Sequence, residues 1–395
     1  MQHSYNRLKH LLAGLYLMLL AVFLFSACVP FEGDGGNGSK PTGTKNTAST
    51  VSQSPTGAIQ LGTQPCPDTL KDPASWNAHV SPAANQKVEH VSCGYLMGTP
   101  SLQAVVMVRH KDASSTGDIF VYNHITSTSP NSIFTLKGLL HGDAKISAYN
   151  TLLTAQEDPN SLFNKGQTTQ WTVDLAREYK WSDQTGTFAQ VVFSGIFPDT
   201  SRYQAEFEQD QVNTGRGFQQ WRLDAVKTTQ NFVQSLLKWP LDTPTSIVSG
   251  GGVQDIKAIM QAKNASSGST VSISLGRLER NANGGIWEVT DVKTNAMSLT
   301  TPQTTQPLTS PITVEGSGTA VGGTIGTVTI LDHQYTDIGH SQVRGTNTAG
   351  QTSFKSQISY TPSFHAGAQE GIIALYAYSD NSIVGVVMVK ELLGA

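Results

Sequence analysis

"GIIALYAYSDNSIVGVVMVK", residues 371–390, is the stretch whose reading decides the fold. It holds two apolar runs, Gly371–Asp380 and Ser382–Lys390, rich in Ile, Val and Tyr and parted by Asn381. β-Branched and aromatic residues favour the extended chain, and runs of this length suit strands better than helices. Neither run alternates with polar residues, as expected for strands at the centre of a sandwich with no solvent-facing side.

Other strand patterns surround this pair. "SPITVEGSGTA" (310–320) opens a strand, and "GTVTILDHQY" (326–335) alternates Val328 and Ile330 with threonines. In "FKSQISY" (354–360), Phe354, Ile358 and Tyr360 share one face while Lys355, Gln357 and Ser359 take the other. With a weaker candidate at 339–345, six or seven strands fall within about 85 residues, the spacing of an immunoglobulin-like sandwich.

Residues 310–395 resemble the immunoglobulin-like domain of bacterial spore germination proteins. The resemblance rests on Ser310-Pro311, on Val314 and Gly316 before Ala320, and on the Val328–Ile330–Asp332 strand. Phe354 before an alternating strand and the ending "YAYSDNSIVGVVMV" complete it. The chain departs from the family at Gly322-Gly323, where an aromatic–acidic pair is usual, and at Asp380-Asn381-Ser382. The resemblance implies a binding or scaffold module of the cell envelope, linked to sporulation or germination, and brings no catalytic residues.

Upstream, strand patterns continue at 102–110, 118–125, 170–179 and 187–197. In the third, Trp171, Val173 and Leu175 alternate with Thr172, Asp174 and Ala176. Two helices follow. The first covers 199–213, with Thr200 or Ser201 as its cap, and the second covers 221–239, stopped by Pro240. Leu223, Val226, Val233, Leu236 and Leu237 form an apolar stripe on the second, which reads as core packing. Three strands come next, at 253–263, 270–279 and 285–293, with a turn at "NANGG" (281–285). This order of helix and meander coarsely resembles the cystatin-like and nuclear-transport-factor-like α+β folds.

The N-terminus has the layout of an export signal. Arg7 and Lys9 precede seventeen uncharged residues, Leu11–Ala27, and small Ser26 and Ala27 lie just before Cys28. An uncleaved anchor helix is the alternative at this length. The Ser-Ala-Cys ending resembles the lipobox of bacterial lipoproteins, with Phe25 where leucine is preferred. That resemblance implies cleavage before Cys28, lipidation of its thiol, and a membrane partner through the lipid anchor. Of the 25 residues Gly33–Gly57, nineteen are Gly, Ser, Thr, Pro or Asn, too few apolar groups to offset ordering entropy. The segment is expected to be a disordered stalk. Gly33, Gly35 and Gly38 satisfy the dinucleotide-loop spacing, but no strand precedes them and no helix follows.

The chain has three cysteines, so lipidation of Cys28 leaves Cys66 and Cys93 as an even pair in a compartment that permits disulfides. Two free thiols are the alternative; no CxxC or histidine cluster nearby suggests a metal. Lys and Arg number 26 against 29 Asp and Glu, with no basic run, which argues against nucleic acid. Charged residues make up only 14% of the chain, which suits a β-rich extracellular surface of hydroxyls and amides.

No serine-hydrolase elbow, zinc-protease pair or phosphate loop is present. Asp332, His333, Asp337 and His340 are the densest polar constellation, though they read better as separate loop residues than as a cation site. Glu206, Glu208 and Asp210 on the first helix could supply paired carboxylates, but an exposed acidic face is the simpler reading.

The expected organisation is a signal peptide (1–27), a flexible linker (28–60), a β-rich α+β region with two helices (61–293, with a break near 220), a linker (294–309) and an all-β immunoglobulin-like sandwich (310–395). The expected function is non-enzymatic: an extracellular, membrane-anchored lipoprotein with an envelope-protein or cell-wall partner and no catalytic residue, cofactor or metal. Two alternatives stay open, a ligand pocket in the α+β region and an unrecognised hydrolase. The pocket reading needs convergent polar groups in a cavity, and the hydrolase needs facing carboxylates or a histidine in a cleft.

Overall fold

The computed structural model describes residues 59–395 except 112–114, 160, 162–163, 166–172, 217–218, 280–283 and 365–366. The signal peptide, Cys28 and most of the expected stalk lie outside the described residues, as do Trp171 and most of the 281–285 turn.

Four strands form the first antiparallel sheet in chain order: β1 (Gln86–Gly94), β2 (Gln103–His110), β3 (Gly117–Asn123) and β4 (Asn131–Leu139). β2 is apolar without alternation because both faces of its sheet are covered. Val105 and Met107 face the second sheet, while Ala104, Val106 and Val108 pack with Trp76 and Cys93. Trp76 ends a 3₁₀ turn, Pro73–Trp76, capped by Asp72, which runs into the single-turn helix α1 (Asn77–Val80). A disulfide joins Cys66 to Cys93 and ties this N-terminal cover to β1.

The second sheet is another four-stranded meander: β5 (Asp143–Ile146), β6 (Leu152–Glu157), β7 (Val173–Ser182) and β8 (Thr187–Val191). The strand expected at 187–197 stops at Val191. Beyond it, Ile196 and Phe197 are buried in a different core, and the chain crosses over to reach it. There Ile196 N donates to Val289 O at 2.6 Å and Val289 N to Phe197 O at 2.7 Å.

Two helices follow as the capping chemistry requires. α2 (Arg202–Asn213) has Ser201 as N-cap, and Ser201 Oγ lies 3.0 Å from Gln204 Oε1 in a reciprocal cap. α3 (Ala225–Leu237) begins four residues later than expected because Asp224 is its cap, accepting from Val226 N and Lys227 N. Residues 220–223 form a separate 3₁₀ turn. Phe232, Val233, Leu236 and Leu237 of α3 pack with Met260, Ile273 and Trp287, so the apolar stripe is core.

The remaining strands form one eleven-stranded sheet system. β9 (Thr245–Gly250), β10 (Lys257–Lys263), β11 (Thr270–Gly276) and β12 (Glu288–Lys293) lie against α3. β10 and β11 alternate buried and exposed residues as their sequence predicts. β13 (Ser298–Thr301) falls within the stretch expected as a linker. After it come β14 (Ile312–Val321), β15 (Thr324–Leu331), β16 (Asp337–Arg344), β17 (Ala349–Ile358), β18 (Ala368–Ser379) and β19 (Ser382–Gly394). β14 pairs with β17, while β16, β15, β18 and β19 are neighbours, consistent with a β-sandwich.

β12 pairs with β19 through Val292–Met388 and Lys293–Val387, so the helix-backed meander and the sandwich share a sheet. This explains the opening stretch. On β18, Ile373 and Leu375 enter the sandwich core with Val328 and Ile330, while Ile372, Ala374 and Tyr376 enter the core under α3. Both faces are buried from Ile372 to Tyr376, so that run carries no charged or amide residue. Among the described residues, no helix is long and apolar enough to cross a membrane.

Candidate functional site

Asp332, His333, Asp337 and His340 do not form one cluster. Asp337 and His340 pair with each other on exposed β16, Oδ2 to Nδ1 at 2.8 Å. Asp332 caps the β15–β16 turn, accepting from Gln334 N and Thr336 N at 2.9 Å each and from Ser363 Oγ at 2.9 Å. His333 is turned inward and is 4% exposed. Among the described residues, no group of three His, Cys, Asp or Glu could hold a metal. The three acidic residues of α2 also separate. Glu206 pairs with Lys145 at 3.0 Å and accepts from Ala148 N, Asp210 is exposed, and Glu208 faces Arg222.

Arg222, from the 3₁₀ turn before α3, is 2% exposed and anchors a buried ion network. Its Nη2 donates to Asp199 and, at 2.5 Å, to Glu288 Oε1 on β12, while Glu208 Oε2 lies 3.9 Å from Nη1. Burial, reinforced by Asp199, pushes the Glu288 carboxyl well above the ordinary value despite Arg222. Burial also raises Glu208, against the pull of Arg222. Arg222 thus binds two acidic side chains at once, and burial disfavours the charged form of Glu288.

The segment that carries Asp199 is fastened from the sandwich side. Tyr335 Oη donates to Ile196 O or Pro198 O, each at 2.9 Å. Lys390 Nζ, on β19, donates to Gly195 O at 2.5 Å, to Thr200 O at 2.6 Å and to Glu370 at 2.7 Å. Burial pushes Glu370 up to about 7 and pulls Lys390 below the ordinary lysine value. Three oxygen acceptors around one ammonium keep Lys390 charged.

Above this base lie two adjoining hollows that share Val173 and Gln204 as lining residues. The outer one, about 400 Å³, is lined also by Asp199, Tyr203, Phe207 and Glu208. The inner one, about 220 Å³, is lined by Asp174, Pro198, Thr200, His333, Gln334 and Tyr335. Roughly 300–1,000 Å³ is usual for small-molecule sites. Gln334 Nε2 donates to Asp174 Oδ2 at 2.8 Å, and Thr200 Oγ1 donates to His333 O at 2.8 Å. These bonds lock the β15–β16 turn against β7 and the start of α2.

Within this frame His333 stands out. Nδ1 and Nε2 are both buried and neither has a hydrogen-bond partner. A buried imidazole without partners costs free energy that a bound polar ligand recovers. Burial lowers the His333 pKa, against Asp332 and Asp174, so the ring is neutral and offers one donor and one acceptor. Glu208 Oε2 in the outer hollow is likewise buried without a hydrogen-bond partner. The arrangement can bind and orient a small polar molecule.

The sequence pointed to His333 and Glu208, but not to Asp174, Asp199, Gln204 or Gln334. Asp199 and Gln204 carry a local signal, since Pro-Asp-Thr-Ser followed by Gln reads as a helix cap. Asp174 and Gln334 carry none, because they meet across 160 residues of chain. Compared with known protein families and with curated proteins, the chain matches none.

Proposed function

We propose that this chain is a surface-tethered, non-enzymatic binding protein of the cell envelope, whose ligand site is the groove between α2 and the β15–β16 turn. The observation that carries this reading is His333, buried with both ring nitrogens unpartnered in a polar hollow. In this reading Cys28 is the lipidated residue, the linker 28–60 holds the body off the extracellular face of the membrane, and residues 310–395 supply one wall of the groove. The resemblance of residues 310–395 to spore germination modules supports an envelope setting. Binding is favoured over turnover because both oxygens of Asp199 face the Arg222 guanidinium and Glu288 is fully buried behind it. A glycosidase needs two free carboxylates flanking the substrate. Among the described lining residues both oxygens of Asp174 already accept hydrogen bonds, from Asp158 N and Gln334 Nε2, which leaves Glu208 Oε2 as the unpartnered carboxylate oxygen.

Val173 is partly exposed at the junction of the two hollows, so Val173→Trp fills the groove without entering a core. Thermal-shift screening of a chemically diverse small-molecule set is expected to find stabilising ligands for the wild-type chain that V173W no longer binds. A screen in which every hit also stabilises V173W equally would overturn the groove, and turnover of a hit would move the chain to the hydrolases. For the anchor, mass spectrometry of the membrane-extracted N-terminal peptide is expected to show acylated Cys28; Met1 still attached would refute it.

A further inference from the structure

The class of ligand follows from the hydrogen-bonding grammar of the lining, and this step rests on the groove reading above. Neutral His333 presents one N–H donor and one lone-pair acceptor, both buried and both unpartnered. The two nitrogens point from different edges of the ring, so a ligand that satisfies both must bring an acceptor to one edge and a donor to the other. A molecule with several hydroxyls does so, since each hydroxyl can donate or accept. An ammonium group brings donors alone and leaves the imidazole N–H bare, while a carboxylate or phosphate brings acceptors alone.

Charge argues the same way. Asp174, Asp199 and Glu208 line the two hollows, and no Lys or Arg does among the described residues. An anionic ligand would meet like charge with no cation at the surface of the groove. Hydroxyls, in contrast, donate to carboxylates in charge-assisted bonds, and Gln204 and Gln334 add amide groups. At the outer end Phe207 lies four residues after Tyr203 on α2 and is 55% exposed. An exposed aromatic ring beside carboxylates and amides offers an apolar face for the C–H side of a sugar ring, while its polar neighbours take the hydroxyls.

We infer that the groove binds a neutral saccharide, with hydroxyls on His333 and Asp174 in the inner hollow and a sugar ring against Phe207 in the outer one. His333 sets the polar end, Phe207 the apolar platform, and Glu208 Oε2 accepts a hydroxyl between them.

The test uses the full chain and isothermal titration with a panel of neutral oligosaccharides (chito-, cello- and malto- series), beside choline, cadaverine and glucuronate. At least one neutral saccharide is expected to bind, and V173W to abolish that binding. Phe207→Ala removes an exposed ring, so it is expected to fold normally and weaken binding roughly two- to tenfold. His333→Phe keeps an aromatic ring but removes both polar nitrogens, and is expected to weaken binding roughly 10- to 100-fold. Binding of choline or cadaverine that V173W blocks, with no saccharide bound, would overturn the saccharide class and leave the groove reading intact. Saccharide binding unchanged in both F207A and V173W would place it elsewhere and overturn the inference. Silence across the whole panel would overturn it too; the groove itself then stands or falls on the diverse screen above.

Discussion

Replacing Arg222 by methionine isolates the buried ion network. The guanidinium is 2% exposed and its Nη2 serves both Asp199 and Glu288, so methionine fills much of its volume and removes the only cation that, among the described residues, lies within hydrogen-bonding reach of either carboxyl. The substitution therefore leaves both buried acids, Asp199 and Glu288, without their cation. Stranding one partner of a buried pair costs about 3–5 kcal/mol. The sign of the pH effect follows. Burial already raises the folded-state pKa of Glu288 above its ordinary value of 4.5, and losing Arg222, which lowers it, raises it further. Stability is then present below that value and lost as pH rises through the folded-state pKa, so the deficit of R222M grows with pH. Urea unfolding of wild type and variant, followed by tryptophan fluorescence, is expected to show a gap of about 3–5 kcal/mol at pH 7.5 that narrows at pH 4.5. The triple change Arg222→Met, Asp199→Asn, Glu288→Gln removes the charges together and is expected to recover most of the loss. A deficit under about 1 kcal/mol at pH 7.5, or one independent of pH, would refute the view that Asp199 and Glu288 depend on Arg222.

Glu370 and Glu279 are each raised to about 7, with burial the largest cause for both. Their protonation stabilises the fold below the unfolded value near 4.5 and is lost as pH rises through 7. For fully buried Glu370 the rise from 4.5 to about 7 corresponds to about 3 kcal/mol at about 1.4 kcal/mol per pH unit. Thermal melts are therefore expected to peak near pH 5 and fall by pH 7.5, and Glu370→Gln to flatten that fall; an unchanged slope would sink the assignment. Reducing the Cys66–Cys93 bridge opens a loop spanning 27 residues and is expected to cost about 3.5 kcal/mol, read as the shift between oxidised and reduced unfolding curves. Edge strand β9 exposes Ile247 and Val248 with no charged residue. Val248→Lys is expected to change stability by less than about 0.5 kcal/mol while reducing concentration-dependent light scattering.

Much of the local structure was legible. Apolar runs marked β18 and β19, and alternation marked β17, because side-chain periodicity follows directly from burial of one face or two. A cap marked the first long helix, where Ser201 satisfies backbone N–H groups only a neighbouring residue can reach, and Pro240 marked the end of the second, whose cap, Asp224, was not foreseen. β9 was not foreseen: as an edge strand with exposed side chains it has no burial pattern to leave in its sequence. The early end of β8 was not foreseen either, because Phe193, Ile196 and Phe197 are as apolar as strand residues, and which core buries them depends on the crossover to β12.

Sequence by itself determined the β-rich character, the two long helices, the sandwich-like strand spacing and the even cysteine pair that the Cys66–Cys93 bridge uses. Those features depend on composition, period and neighbours along the chain. Tertiary structure alone decided that β12 joins β19, that both faces of β18 are therefore buried, and that His333 comes to rest beside Asp174 and Thr200. Strand partnering and convergent polar groups depend on contacts between residues far apart in the chain. No local pattern encodes them, since a buried histidine with no partner and a solvated one are written with the same residue.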